Sequence, residues 1–252
     1  MADSRDDARA PNLSDLTWPE AETLSRAGAL LAVPVGSTEQ HGPHLPLSTD
    51  TDIAVALCDW LARHRRGVVV APPLAYGSSG EHDGFAGTLS IGQEALEHVL
   101  VELVRSATRA FAHVLLVSAH GGNADTVRRA VARLRGESRD VRAFMPSWDG
   151  EPHAGRAETA LQLALAPHRV HEDRAEPGDT RPLKAIWPLL TTRGVRAVSA
   201  NGVLGDPTGA TAAEGRALLD RLTADLLRES AAWYPVPADA DFAGRAPAEA
   251  GR

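Results

Sequence analysis

Glu39 and His41 stand two residues apart in the polar segment GSTEQHGPHLP, residues 36–46. In an extended segment that spacing turns both side chains the same way. A carboxylate beside an imidazole suits a borderline divalent cation such as zinc, manganese or iron. Asp50 follows in STDTD (48–52), His120 in SAHGGN (118–123), and His153 and Glu158 in HAGRAET (153–159). A fourth polar segment, YGSSGEH (76–82), has the same character, with no single residue standing out in it.

Taken singly, most of these residues have a plainer reading. Glu-x-His is a common surface pair, and His153 fits a loop residue. Asp50 and Glu158 suit the first turn of a helix, where a negative charge meets the positive end of the dipole. Asp52 fits the third helical position after a Thr49 cap. His120 says more, because it ends an apolar run and precedes two glycines that let the backbone approach a ligand closely; Asn123 could then cap the next helix. The combination carries the weight. Five such groups could hold two divalent ions about 3.5–4 Å apart with one carboxylate bridging. Cations would also offset the repulsion among Glu39, Asp50 and Glu158, which would otherwise take up protons.

The elements that must position these groups alternate along the chain, which favours an α/β fold. Aliphatic runs at 29–35, 68–72, 114–118 and 141–145 read as strands. Their unbroken apolar character implies burial on both faces, as in a parallel or mixed sheet covered by helices. Pro34 weakens the end of the first, since it cannot donate to a ladder. Helices are predicted at 52–63, 93–111, 124–134 and 212–233. In the second, Ser90 and Gln93 form a capping box and Leu96, Val99, Leu100, Leu103, Val104 and Ala107 a stripe. In the last, Thr211 and Glu214 form the box, and Leu218, Leu219, Leu222 and Leu226 face inward. Another helix follows Glu158, with Leu161 and Leu165 on its apolar side. Residues 1–12 and 236–252 lack periodicity and read as flexible ends around one domain at 13–235. The polar groups thus fall just past strand ends, where open α/β sheets bind ligands.

Composition narrows the function. The 252 residues carry 26 basic and 33 acidic side chains, a net charge of −7, which argues against a dedicated nucleic-acid binder. There is no polybasic signal for a membrane surface and no apolar run of the roughly 18 residues needed to span one. The polar, acidic start is unlike a secretory signal, so a cytoplasmic protein is expected. The single cysteine, Cys58, excludes a disulfide framework and a cysteine-rich zinc site, and it reads as a small buried hydrophobe. Walker A, HExxH and GxSxG sequences and a dinucleotide fingerprint are all absent.

The run VPVGSTEQHGPHLPLSTDTDIA, followed by SAHGGN and HAGRAET, resembles the creatininase family of metal-dependent amidohydrolases over about residues 31–233. The segments YGSSGEHDGFAGTLS and NGVLGDPTGAT look most like the branch associated with mycofactocin biosynthesis, whose peptidase removes a C-terminal Val-Tyr dipeptide from a modified precursor peptide. The resemblance implies a three-layer α/β/α sandwich, a closed homo-oligomer and two divalent ions (Zn, Fe or Mn). It implies that Glu39 and His120 hold one ion, His41 the other, that Asp50 bridges them, and that His153 transfers protons. Creatininase has a further ligand glutamate two residues after the histidine matching His120. Gly122 stands there in this chain, which hands the fifth ligand position to Glu158. The expected activity is hydrolysis of a C–N amide bond in a modified precursor peptide. Creatinine hydrolysis or deformylation of a formamide at the same site is the nearest alternative, and a non-catalytic metal or small-molecule binder on the same fold is an alternative of another class.

Overall fold

The structure, a computed structural model, describes residues 11–148, 150–236 and 242. Each aliphatic run becomes a strand: β1 (Leu30–Val35), β2 (Val68–Val70), β3 (His113–Ser118) and β4 (Asp140–Phe144). All pairings are parallel, in the order β2-β1-β3-β4. Pro34 lies inside β1 rather than fraying it. The ladder continues to Val35 opposite Ser118, and the Pro34 carbonyl accepts from the Leu74 N–H at 2.9 Å.

Helices cover both faces of the sheet, as parallel strands require. In chain order they are α1 (Trp18–Arg26), α2 (Thr49–His64), α3 (Gly92–Ala107), α4 (Ala124–Gly136), α5 (Arg156–Leu165), α6 (Leu183–Arg193), α7 (Val195–Val198) and α8 (Ala212–Trp233). Leu30, Ala32, Leu115 and Val117 point to one face, against Ile53 and Leu57 of α2, Leu161 of α5 and Leu222 and Leu226 of α8. The alternate residues Leu31, Val33, Val114 and Leu116 meet Leu96 and Leu100 of α3 and Val127 and Leu134 of α4. The period of two along each strand builds a separate apolar core on each side, giving the three layers. Cys58 is fully buried in the first core.

Several helix ends differ from the sequence reading. α2 starts at Thr49 with Ser48 as its cap residue, so Asp50 and Asp52 share the first turn. Asp52 accepts from Ser48 Oγ (3.0 Å) and Arg169 (2.8 Å), an anchoring role. The box of Ser90 and Gln93 does not form: α3 begins at Gly92, and Ser90 Oγ accepts from the Ser79 N–H instead. Leu96, Leu100, Val101 and Val104 are buried, whereas Val99 and Leu103 are exposed. Asn123 precedes α4 but does not cap it; its side chain accepts from the Ser78 N–H (2.9 Å) and donates to the Gly36 carbonyl (3.0 Å). The box of Thr211 and Glu214 does form on α8, where Leu222 and Leu226 are buried and Leu218 and Leu219 only partly so.

Of the ends expected to be flexible, residues 1–10, 237–241 and 243–252 lie outside the described residues. Asn12 pairs with Val70, and Phe242 packs against the core between the sheet and α3 and α4. Among the described residues no helix is long and apolar enough to cross a membrane.

Candidate metal centre

The chain runs from β1 to β2 on one side and returns to β3 on the other. This reversal opens a crevice beyond the carboxyl ends of β1 and β3, the usual ligand position of an open parallel sheet. The segment leaving β1 carries Glu39 and His41, and the residues just past β3 carry His120. Asp50 enters from the first turn of α2, Glu158 from the first turn of α5, and His153 from the segment before α5. All six side chains are buried there.

They form three overlapping groups whose nitrogen and oxygen atoms lie within 4.8 Å of one another: Glu39, Asp50 and His120; His41, Asp50 and Glu158; Glu39, His41 and His153. Asp50 belongs to the first two, with Oδ1 3.3 Å from His41 Nε2 and Oδ2 3.3 Å from His120 Nδ1. Ser37 Oγ donates to Asp50 Oδ2 at 2.6 Å and fixes the carboxylate between the imidazoles.

The hydrogen bonds around the rings show what these contacts lack. His41 Nδ1 donates to the Glu39 carbonyl (3.2 Å), so Nε2 is left facing Asp50 and, at 3.8 Å, Glu158. His120 Nε2 donates to the Ser78 carbonyl (2.9 Å), so Nδ1 is left facing Asp50. In each gap an imidazole nitrogen meets carboxylate oxygens, and only a proton or a cation can bridge acceptors of that kind. His41 Nε2 and both carboxylate oxygens of Glu39 are buried without a hydrogen-bond partner, a condition native interiors avoid. The donor set of carboxylates and imidazoles therefore fits a divalent cation.

Protons show the same demand. Burial pulls His41 down, but Asp50, then Glu158 and Glu39, outweigh it and raise the ring to about 10. His120 is likewise raised to about 10, as Glu39 and Asp50 overcome its burial. Burial lifts Glu39 to about 7 against the pull of His120, and burial also raises Glu158. Burial acts on Asp50 too, yet His41 and His120 hold it well below the usual carboxylate range. Without cations, this pocket binds protons in their place.

The creatinine amidohydrolase (creatininase) family model matches residues 14–229. The chain is a member of the creatininase family. A mycofactocin precursor peptide peptidase of Mycobacterium ulcerans (strain Agy99) is 44% identical, the match covering 91% of this chain and 95% of that protein. A solved structure titled "Creatininase Mn" superposes with a TM-score of 0.74 at 25% identity, covering 90% of this chain and all of the other. A mutant creatininase of Zn-Zn type gives 0.76 at 25% identity, with the same coverage.

Within this creatininase fold the structure brings all six sequence-predicted residues to one pocket and adds others. His82, in the short 3-10 helix Gly80–His82, is buried, with Nε2 3.3 Å from Glu39 Oε1. Gln40 contacts both His82 and His153. The polar run 76–82 marked this loop in the sequence, but nothing local distinguished His82 from its neighbours. At Gly122, where creatininase has a ligand glutamate and this chain has none, another carboxylate approaches: a Cβ there would stand 2.3 Å from Glu81 Oε1, which is 3.7 Å from His120 Nε2. His44 plays a supporting part. Thr159 Oγ1 donates to the Gly155 carbonyl and accepts from His44 Nε2 (2.8 Å), pinning the first loop to α5. Ala154, between His153 and α5, has φ +52 and is fully buried. Its N–H donates to Glu158 Oε2 at 2.6 Å, so this left-handed residue aims two site side chains at once.

Proposed function

We propose that this chain is a binuclear metal-dependent hydrolase of C–N amide bonds that releases a C-terminal Val-Tyr dipeptide from the modified mycofactocin precursor peptide. The observation that carries the chemistry is the buried set of acceptors facing acceptors around Asp50. The mycobacterial precursor peptide peptidase, similar over nearly its full length, supports the substrate. Glu39, Asp50 and His120 would hold one ion and His41, Asp50 and Glu158 the other, with residues 13–235 acting as one catalytic domain. The Mn and Zn-Zn structures of the family support divalent ions of this kind.

Bound divalent ions would supply Lewis-acid polarisation of the scissile carbonyl and a water of lowered pKa. The protein's own residues do the rest. Ser37 fixes Asp50, and the Ala154 N–H fixes Glu158, so the carboxylates need little reorganisation. His153 Nε2 donates to the Gln40 carbonyl at 2.9 Å, which leaves its Nδ1 lone pair turned toward the pocket, 3.8 Å from Glu39 Oε1. Burial, then the neighbouring His41 and His82, hold this ring well below the usual histidine range. His153 is therefore neutral, and its free Nδ1 lone pair, placed at the pocket, together with the family resemblance supports the role of carrying a proton to the leaving amine. No side chain has to form a covalent intermediate.

Two measurements test this. Purified protein should carry close to two equivalents of transition metal, and His120→Ala close to one. Incubation with precursor peptide, creatinine and a formamidopyrimidine, read by mass, should yield a dipeptide from the peptide alone. Full activity in metal-free protein, or turnover of one of the other two compounds only, excludes the proposal.

A further inference from the structure

We propose that Gln40 and His82 form a positioning relay that orients Glu39 for its ion. The inference rests on the metal-centre reading above and assigns work to a buried imidazole that the hydrolysis does not use.

The Gln40 amide has a fixed orientation. Its Oε1 accepts from the Gly42 N–H (2.9 Å), and its Nε2 donates to the Gly202 carbonyl (3.1 Å). Gly202 sits at φ +83, and a Cβ there would stand 1.9 Å from Gln40 Oε1, so only glycine brings that carbonyl close enough. One amide hydrogen remains, with two rings in reach: His82 Nδ1 at 2.8 Å and His153 Nε2 at 3.0 Å. His153 Nε2 already carries a proton, because it donates to the Gln40 main-chain carbonyl, which can only accept. The remaining amide hydrogen therefore goes to His82 Nδ1. With Nδ1 accepting, neutral His82 carries its proton on Nε2.

That proton faces Glu39 Oε1 across 3.3 Å. Glu39 Oε2 lies on the other side, 3.2 Å from His120 Nε2. The His82 N–H is the nearest dipole to Oε1, a contact without hydrogen-bond alignment, and Oε2 is turned to the ring whose Nδ1 belongs with Asp50 to the first metal group. Hydrogen-bond partners of ligating groups commonly act in this way, and their loss lowers metal affinity about 10–100-fold. Gln40 thus sets the tautomer of two rings at once, with Nε2–H on His82 turned to Glu39 and the Nδ1 lone pair of His153 turned to the pocket.

The test is zinc affinity, measured on the full chain by competition with a chromophoric chelator. His82→Phe keeps the ring volume and removes the donor, and should weaken the affected site about 10–100-fold. His82→Gln places an amide N–H near the position of Nε2 and should recover most of the loss. Gln40→Leu should match His82→Phe, and the double variant should be no worse than either single one, because both act through one contact. Circular dichroism of each variant separates misfolding from lost positioning. Affinity within about twofold of the parent in His82→Phe, no rescue by Gln, or additive losses would overturn the relay while leaving the metal centre intact. Parent protein that binds no zinc would instead overturn the metal-centre reading itself.

Discussion

The molecule gathers charge densely in two places that behave in opposite ways. At the carboxyl ends of β1 and β3, Glu39, Asp50, Glu158, His41 and His120 are buried, and both Glu39 oxygens and His41 Nε2 lack hydrogen-bond partners. Between the ends of α3 and α4, Arg105 meets Glu102 and Glu137, and Arg139 joins Glu137 at 3.2 Å, all near solvent. The second cluster is complete as it stands. Each carboxylate there has a guanidinium beside it, and water can serve any lone pair left over. The first is complete only with an added ion: its carboxylates and imidazoles face one another away from water, an arrangement that fits a divalent cation. The contrast teaches that charge density alone does not mark a site. A buried set of donor atoms that only an added ion can satisfy does mark one.

The sharpest way to break this contrast is to remove the residue shared by both metal groups. Asp50→Asn keeps the size and an acceptor for Ser37 but removes the charge. We expect metal content to fall below one equivalent and kcat/KM to fall at least about a thousandfold, roughly 4 kcal/mol of transition-state stabilisation. Unchanged metal content by elemental analysis would refute the bridging role. His153→Ala should behave differently, with both ions retained and kcat lowered about 10²–10⁴-fold, the usual scale for a lost proton-transfer group. If that variant loses an ion, His153 is a ligand, as its grouping with Glu39 and His41 allows. Chelation should then show the site's weight in the fold. Each of the two ions, present at about a hundred times its dissociation constant, adds about 2.7 kcal/mol, so stripping both should lower Tm by about 11–22 °C, reversibly on adding zinc back. No shift would mean that the folded state does not depend on the ions.

How far the sequence discloses all this depends on the range over which each feature is determined. The strand VLLVS reads directly as β3 because an aliphatic run bounded by polar residues has few other uses in an α/β chain. Glu39, His41, Asp50, His120 and Glu158 could be proposed together because each lies next to a strand or helix end, and parallel topology sends those ends to one edge. Ser90 and Asn123 mislead for the same local reason. Both have the side chain of a cap, but each bonds to the distant 78–79 loop, which no pattern within one helix can show. Val99 and Leu103 fit a helical stripe, yet the sheet reaches only as far as Leu96, Leu100, Val101 and Val104. His82 and Gln40 escape notice because their roles need three chain segments, around residues 40, 82 and 153, to meet in space.

The smallest effect is expected at the surface cluster, and it tests the other half of the contrast. Glu137 is held at about 2, first by its hydrogen bonds from Arg105, with burial opposing and Arg139 adding. Its folded-state pKa is thus depressed below the unfolded value of 4.5. The stabilisation is complete above about pH 4.5 and is lost as pH falls through about 2. Glu137→Gln should therefore lower Tm by no more than about 3 °C at neutral pH. The gap from the parent should narrow between pH 4.5 and 2, and it should shrink in 1 M salt, where the screening length falls to about 3 Å. Activity and metal content should not move, because no side chain of this cluster reaches the pocket. A several-fold change in turnover would mean that the exposed ion pairs are coupled to the buried centre, and the division between a complete and an incomplete charge cluster would then fail as a guide to where this molecule works.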